Sequence, residues 1–277
     1  MSAVPDQGSA SSPASACSSE CAYSAAHYRF LLRLAKATHR LPLVRDVAFG
    51  QPLEKSGEDD PFFLIRHDVD ITPWAALAMA ELEAEEGVAT TYYYRLHAPF
   101  YNLLDAAVLD SVLRVAELGH EVGLHYEPGF FLARGLDPVE GTRRDIRVFE
   151  ELVGFETRTI AQHQPSQGPV LDDISPEHPC AYQPALVRDI PYFGDSGFHW
   201  REGCVCTKLD RPRLHTLIHP HSWVRPDGAW QEALRHHARD LGGRLADEME
   251  AYVASVEDYL ARRVELDAAR AARYGGR

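Results

Sequence analysis

Residues 62–70 read FFLIRHDVD, a short apolar run that ends in two acids one residue apart. A run of this length and composition predicts a buried strand, with Phe62 to Arg66 as its body. Burying charge without a partner is expensive, so Asp68 and Asp70 need something to face. Period-two alternation puts Arg66, Asp68 and Asp70 on one side of an extended chain. Two carboxylates that close repel unless a cation or a shared proton intervenes. Two readings stand side by side. Either a divalent metal is bound by one carboxylate and the other is left as a base, or both acids cap the helix that opens at Thr72-Pro73.

Working outward, residues 71–87 read ITPWAALAMAELEAEEG. Thr72 suits an N-cap and Pro73 the first helical position; Trp74, Leu77, Ala78 and Leu82 make an apolar face, and Gly87 stops the helix. The rhythm then repeats. Strands are expected at 89–96, 120–125 and 157–163, with helices from Asp105 to Leu118 and from Asp137 to Val153, the latter ended by Gly154. Strands alternating with helices of this length mean a parallel sheet with helical crossovers. Shorter strand candidates at 190–193, 204–209 and 214–219 bring the number to seven, one short of a regular eightfold barrel. The expected fold class is therefore α/β, a distorted seven-stranded parallel (β/α) barrel.

Before the first strand, residues 27–38 have helical spacing and a turn-rich link follows to Asp60. Residues 164–184, rich in Pro, Ser, Asp and Gly, read as one long loop, and such loops are usually functional or disordered. The C-terminal 229–274 segment is helical, interrupted at Gly242 and Gly243, with Leu245, Met249, Tyr252, Val256 and Tyr259 on one stripe. The expected organisation is a disordered leader (1–24), the barrel (25–228) and a helical extension (229–277), which packs on the barrel or forms a homodimer seam.

The chain has 277 residues, 45% of them hydrophobic, enough to bury a full core. Lys and Arg number 28 against 41 acids, a net charge of −13, which argues against a nucleic-acid partner. Five cysteines are too few for a disulfide scaffold and suggest a reducing compartment. Cys17 and Cys21 fall in a Ser/Ala-rich leader with neither a basic n-region nor an apolar h-region, so a cytoplasmic protein with no membrane partner is expected. Cys204 and Cys206 are too close for a standard zinc pair without further ligands, and read as strand residues on one face.

In a parallel α/β sheet, ligands gather at the carboxyl ends of the strands. Residues 119–127 read GHEVGLHYE. His120 and His125 are five apart where a zincin helix needs four, so that motif is excluded. As a strand, the segment puts Glu121, His125 and Glu127 on one side. His125 is the ligand candidate, and His120 a packed or solvated residue. Residues 161–166, AQHQPS, end a strand at His163. Residues 214–223, LHTLIHPHSW, end another at His219 and put His215, Leu217, His219 and His221 on one face. One barrel would bring all four strand ends together.

In that order, these motifs resemble the polysaccharide deacetylase superfamily, over roughly Phe62 to Trp223. The nearest branch carries Arg-His-Asp-Val-Asp where typical members have Thr-Phe-Asp-Asp-Gly. The resemblance implies removal of an acetyl group from an amino sugar or a sugar-containing small molecule. It implies a divalent metal, zinc first and cobalt or iron as alternatives, with Asp68 as the base, Asp70 and His125 as metal ligands, and His219 as the acid. The second metal histidine of the family falls at Gly129 here. The third contact is therefore left to Glu127, His163 or a water, with His163 preferred because it ends the neighbouring strand. Val69, where the typical family has an acid, leaves an exchange of roles between Asp68 and Asp70 open. Glu127, Asp195, Trp200 and Arg201 are the expected substrate contacts, with Asp195 alternatively orienting His219 or Arg201 or standing as a turn residue, and Trp200 alternatively packing in the core. A decayed carbohydrate-binding scaffold and a hydrolase of another non-peptide C–N bond are the competing expectations.

Overall fold

The computed structural model describes residues 21–49, 61–165, 171, 174, 176–224 and 229–274. In chain order the elements are α1 (Ala25–Thr38), α2 (Val44–Ala48), β1 (Phe62–Val69), α3 (Pro73–Glu85), β2 (Thr91–Tyr94), α4 (Ala106–Glu117), β3 (Glu121–Tyr126), α5 (Pro128–Leu132), α6 (Pro138–Val153), β4 (Ile160–Gln162), α7 (Pro184–Val187), β5 (Tyr192–Gly194), β6 (Arg213–Ile218), α8 (Pro220–Trp223) and α9 (Trp230–Tyr274). The chain divides into two units, Met1–Ala233 and Leu234–Arg277.

The first unit is a parallel half-barrel of six strands in the order β4-β3-β2-β1-β6-β5. The α/β class and the parallel sheet are as expected, but the strand number is six. The missing strand is the one expected at 204–209, where Val205–Lys208 is a 3-10 turn. Its cause is local: Thr207 donates both its backbone N–H and its hydroxyl to the Cys204 carbonyl, which curls the chain before a ladder can form.

Caps fix the crossover helices where the sequence put them. Asp105 accepts from Val108 N–H, Asp137 accepts from Val139 and Glu140 N–H, and Gly154 ends α6 in the left-handed conformation at φ +79°. The face of α3 differs from expectation. Ala75, Ala76, Met79, Ala80 and Glu83 are buried, whereas Ala78 is exposed and Trp74 and Leu77 are half-buried. Apolar residues surround this helix, so periodicity had no stripe to select.

Alternation along β1 separates two layers. Phe63 and Ile65 turn outward into a core with Tyr28, Leu31 and Leu32 of α1, and Leu64 turns inward toward Tyr93, Ala161 and Leu186. Gly123 of β3 also faces inward, where a Cβ would stand 2.3 Å from the Thr159 carbonyl; only glycine admits that approach. The N-terminal mouth of the half-barrel is closed by α2, which lies within the segment expected to be a turn-rich link. Val44 N–H donates to Thr91 Oγ1 and Arg45 N–H to Glu121 Oε2. Glu121 also accepts from the Thr91 and Thr159 hydroxyls, so this interior carboxylate is engaged at the closed end.

His215 of β6 is fully buried and donates Nδ1–H to the Leu186 carbonyl. Burial first, and the Arg66 charge second, push it down from 6.5 to about 3. Below pH 6.5 the unfolded chain takes up a proton that folded His215 refuses, so stability falls as pH drops toward about 3. Between pH 7 and pH 5 the wild type is expected to lose roughly 2 kcal/mol more than His215→Gln, measured by chemical denaturation. Equal losses would show that His215 is protonated in the fold.

In the second unit α9 runs through Gly242 and Gly243 without the expected interruption. Each glycine costs only about 1 kcal/mol relative to alanine in a helix of this length. Leu245, Met249, Tyr252, Val256 and Tyr259 are solvent-exposed. Among the described residues, no helix is long and apolar enough to cross a membrane.

Candidate metal centre

Four strand ends deliver the polar cluster. Asp68 lies on β1 and Asp70 just past it, His125 on β3, His163 one residue after β4 and His219 one residue after β6. Asp70, His125 and His163 each offer a ligand atom, and these atoms lie within 4.8 Å of one another. Asp70 Oδ1 stands 3.5 Å from His125 Nε2 and 3.1 Å from His163 Nδ1. The two ring nitrogens are 3.3 Å apart. Asp68 Oδ2 stands 3.6 Å from His125 Nε2.

The protonation of His125 follows from its other neighbour. Nδ1 lies 3.0 Å from the Ala161 carbonyl, which can only accept, so Nδ1 carries the hydrogen. In the neutral ring Nε2 therefore turns a lone pair toward two carboxylates. That arrangement is repulsive until a cation stands between them, and a histidine whose far nitrogen is fixed by a carbonyl is a common way of presenting a metal ligand. Asp68 Oδ1 is buried and accepts no hydrogen bond among the described residues. One carboxylate and two imidazoles suit a divalent transition metal, and three protein ligands leave a coordination position open.

The helix-cap alternative does not describe the pair. Thr72 N-caps α3 without a side-chain hydrogen bond, and Asp68 and Asp70 turn to the histidines instead. Burial alone would raise the Asp70 carboxyl; where protonated His125 and His163 rings stand against it in place of a metal, their contacts, with the His125 and His219 charges, outweigh burial and hold it well below the usual carboxylate range.

His219 faces the cluster from the other side of β1, its Nε2 3.6 Å from Asp70 Oδ2. Behind it, Nδ1 donates to Asp195 Oδ1 at 2.6 Å, and His219 N–H reaches both oxygens of the same carboxylate. Trp223 Nε1–H donates to Asp195 Oδ2 at 2.8 Å. Asp195 thus fixes the ring that faces the cluster. Burial pulls the His219 pKa down, but the Asp195 charge and hydrogen bond, then Asp70 and Asp68, push it up to about 9.

A cavity of about 430 Å³ opens over these groups, bordered by Asp68, Asp70, His125, His163, His219 and Arg201. Gln164, at φ +49°, turns the chain away directly after His163. Three expected substrate contacts lie elsewhere. Asp195 is fully buried and engaged by His219 and Trp223. Trp200 is buried against Tyr23 and Trp223, so it packs in the core and does not line the cavity. Glu127 borders a neighbouring cavity, where it accepts from the Arg95 guanidinium and the His97 N–H. With Glu127 so engaged, the donor that joins Asp70 and His125 is His163.

Arg66 has no role that the sequence alone assigns, although alternation puts it beside Asp68. Its guanidinium is buried 3.8 Å from Asp68 Oδ2, lies 4.0 Å over the Tyr182 ring and donates to the Tyr192 hydroxyl at 3.2 Å. It supplies a fixed positive charge beside a buried acid. Cavity, donor set and opposed histidine are what a functional reading has to rest on. No family model and no curated protein matches this chain.

Proposed function

We propose that this chain is a metal-dependent hydrolase that removes an N-acetyl group from an amino sugar or a sugar-containing small molecule, in the manner of the polysaccharide deacetylase superfamily. The observation that carries the reading is the convergence of Asp70, His125 and His163 within 4.8 Å, with Asp68 and His219 at the edges of the same cavity. Zinc is the metal of choice, cobalt and iron being compatible with the same donors. A divalent ion held there would acidify water and polarise an acetamide carbonyl.

The remaining steps belong to side chains. Asp68, buried beside Arg66, takes a proton from the attacking water. His219, whose Nδ1 proton is held by Asp195, gives its Nε2 proton to the departing nitrogen, so that water is divided between acetate and amine. Arg201 at the cavity rim is available to sugar hydroxyls. A cytoplasmic setting, with a soluble glycan precursor or a glycoside metabolite as substrate, belongs to the same reading.

Elemental mass spectrometry of the purified protein is the test, together with acetate release from a panel of acetylated amino sugars. A transition-metal ion present at about one per chain is expected to be lost from both Asp70→Ala and His163→Ala, and chelation is expected to stop acetate release. No metal that these variants lose, and no chelator effect, would favour the binding-scaffold reading. Ammonia or a ring-opened product in place of acetate would shift the reaction to another C–N bond.

A further inference from the structure

A second group of metal-ligating side chains lies in the first unit, outside the cavity. Cys21, His27, Cys204 and Cys206 present four ligand atoms within 4.8 Å of one another. Cys21 Sγ is 3.4 Å from Cys206 Sγ, and His27 Nε2 is 3.4 Å from Cys204 Sγ. A tetrahedral zinc with Zn–S of ~2.3 Å and Zn–N of ~2.0 Å places its donors roughly 3.4–3.8 Å apart. These two spacings stand at the short end of that range, and the other pairs lie within 4.8 Å.

The sequence hid this group because its halves are 177 residues apart or more: Cys21 and His27 at the start of α1, Cys204 and Cys206 on the 3-10 turn before β6. The 3-10 turn is what makes Cys204-x-Cys206 useful, since it brings both sulfurs toward one point. Ser24 accepts from His27 N–H and fixes the first turn of α1, so His27 is presented from a capped helix start. Cys204 and Cys206 are buried, and Cys21 and His27 are half-buried.

We propose that, in the reduced chain, Cys21, His27, Cys204 and Cys206 bind one zinc ion as a structural Cys3His site. Cys206 is disulfide-bonded in the structure, so the site needs that bond opened. A phosphine or thiol reductant supplies the two electrons, and two protons from water or thiol complete the two thiols; each ligating thiol then releases its proton as it binds the metal. The four donors leave no open position, which marks a structural rather than a catalytic ion. The site is linked to the first centre through one aromatic side chain. The His27 ring stacks on Trp223 at 5.7 Å, and Trp223 holds Asp195, the partner of His219. Zinc here would pin the wall behind His219.

The test uses the full chain carrying Asp70→Ala, which removes the other centre, kept reduced by a phosphine and titrated with Co²⁺ and then Zn²⁺. Expected are about one Co²⁺ per chain with a strong near-ultraviolet sulfur-to-cobalt charge-transfer band, its displacement by about one Zn²⁺, and a rise in Tm on zinc binding. Adding Cys204→Ser is expected to abolish the band, and His27→Gln, at a half-buried position, to weaken binding by more than about tenfold. A folded, reduced parent that binds Co²⁺ without the band, or not at all, overturns the proposal. So does a band of unchanged affinity in both variants.

Discussion

Replacing His219 by glutamine is expected to lower kcat by about 10²–10⁴-fold on the best acetylated amino sugar, with KM and metal content unchanged. The size follows from the role proposed for it: a positioned acid that protonates the leaving nitrogen acts in the transition state and adds little to ground-state binding. His219 is pushed up to about 9, burial opposing and the Asp195 charge and hydrogen bond prevailing, so at neutral pH both ring nitrogens carry protons. Nδ1–H is committed to Asp195, and Nε2–H points to the Asp70 side of the cavity. The acid form is lost as pH rises; a bound cation offsets the Asp70 and Asp68 charges, so the alkaline limb of kcat is expected at or below about 9. Asp195→Asn removes the largest raising influence, so the alkaline limb moves to lower pH while the protein stays folded. This separates positioning from mere packing, because a packing defect lowers the rate without moving the limb. Loss of metal from His219→Gln would instead make His219 a ligand and oppose the assignment.

How much of this was legible in the sequence depends on whether a residue's role is set by its neighbours along the chain or across it. Asp137, Gly154 and the Thr72-Pro73 pair act within one turn, and their helices start and stop where the sequence indicates. Strand ends could be placed because alternation and the following turn are local, and so Asp68, Asp70, His125, His163 and His219 could be named. The choice between His163 and Glu127 was not local. Both end a strand, and only Arg95 and His97, which engage Glu127, distinguish them. The strand expected at 204–209 failed because its apolar residues look alike in a ladder and in a 3-10 turn, and the Thr207 hydroxyl settles the matter. Asp195 could be anticipated as a partner of His219 but not as a saturated one. That required Trp223, 28 residues away, to close on it.

Glu83 is the largest such omission, and Glu83→Ala is expected to cost about 3–5 kcal/mol of stability at pH 7. This carboxylate is fully buried on α3. It accepts from the Tyr28 hydroxyl of α1, from the Tyr92 hydroxyl at 2.6 Å and from the Thr90 hydroxyl at 2.8 Å, and it pairs with His67 Nε2 of β1 at 2.8 Å. His120 Nδ1 lies 3.5 Å away. Side chains from α1, β1, β2 and the approaches to β2 and β3 thus converge on one carboxylate. Its removal leaves its donors without their acceptor in a dry interior, which is costlier than the loss of any one bond. Burial raises the Glu83 carboxyl, but the His67 charge and hydrogen bond, then His120 and Tyr28, outweigh it and lower it from 4.5. A depressed folded pKa contributes stability above 4.5 that is lost as pH falls through the folded value, so the wild-type advantage over Glu83→Ala should shrink in acid. Glu83→Gln keeps the volume and some of the acceptors, and a smaller loss of roughly 1–3 kcal/mol is expected. Urea denaturation at pH 7 and pH 4 reads all of this. A Glu83→Ala loss below about 1 kcal/mol would mean that water or repacking replaces the carboxylate. The consequence reaches the candidate centre through one covalent step: His67 precedes Asp68, so the network on the outer face of β1 sets the height at which the inner face presents its acid.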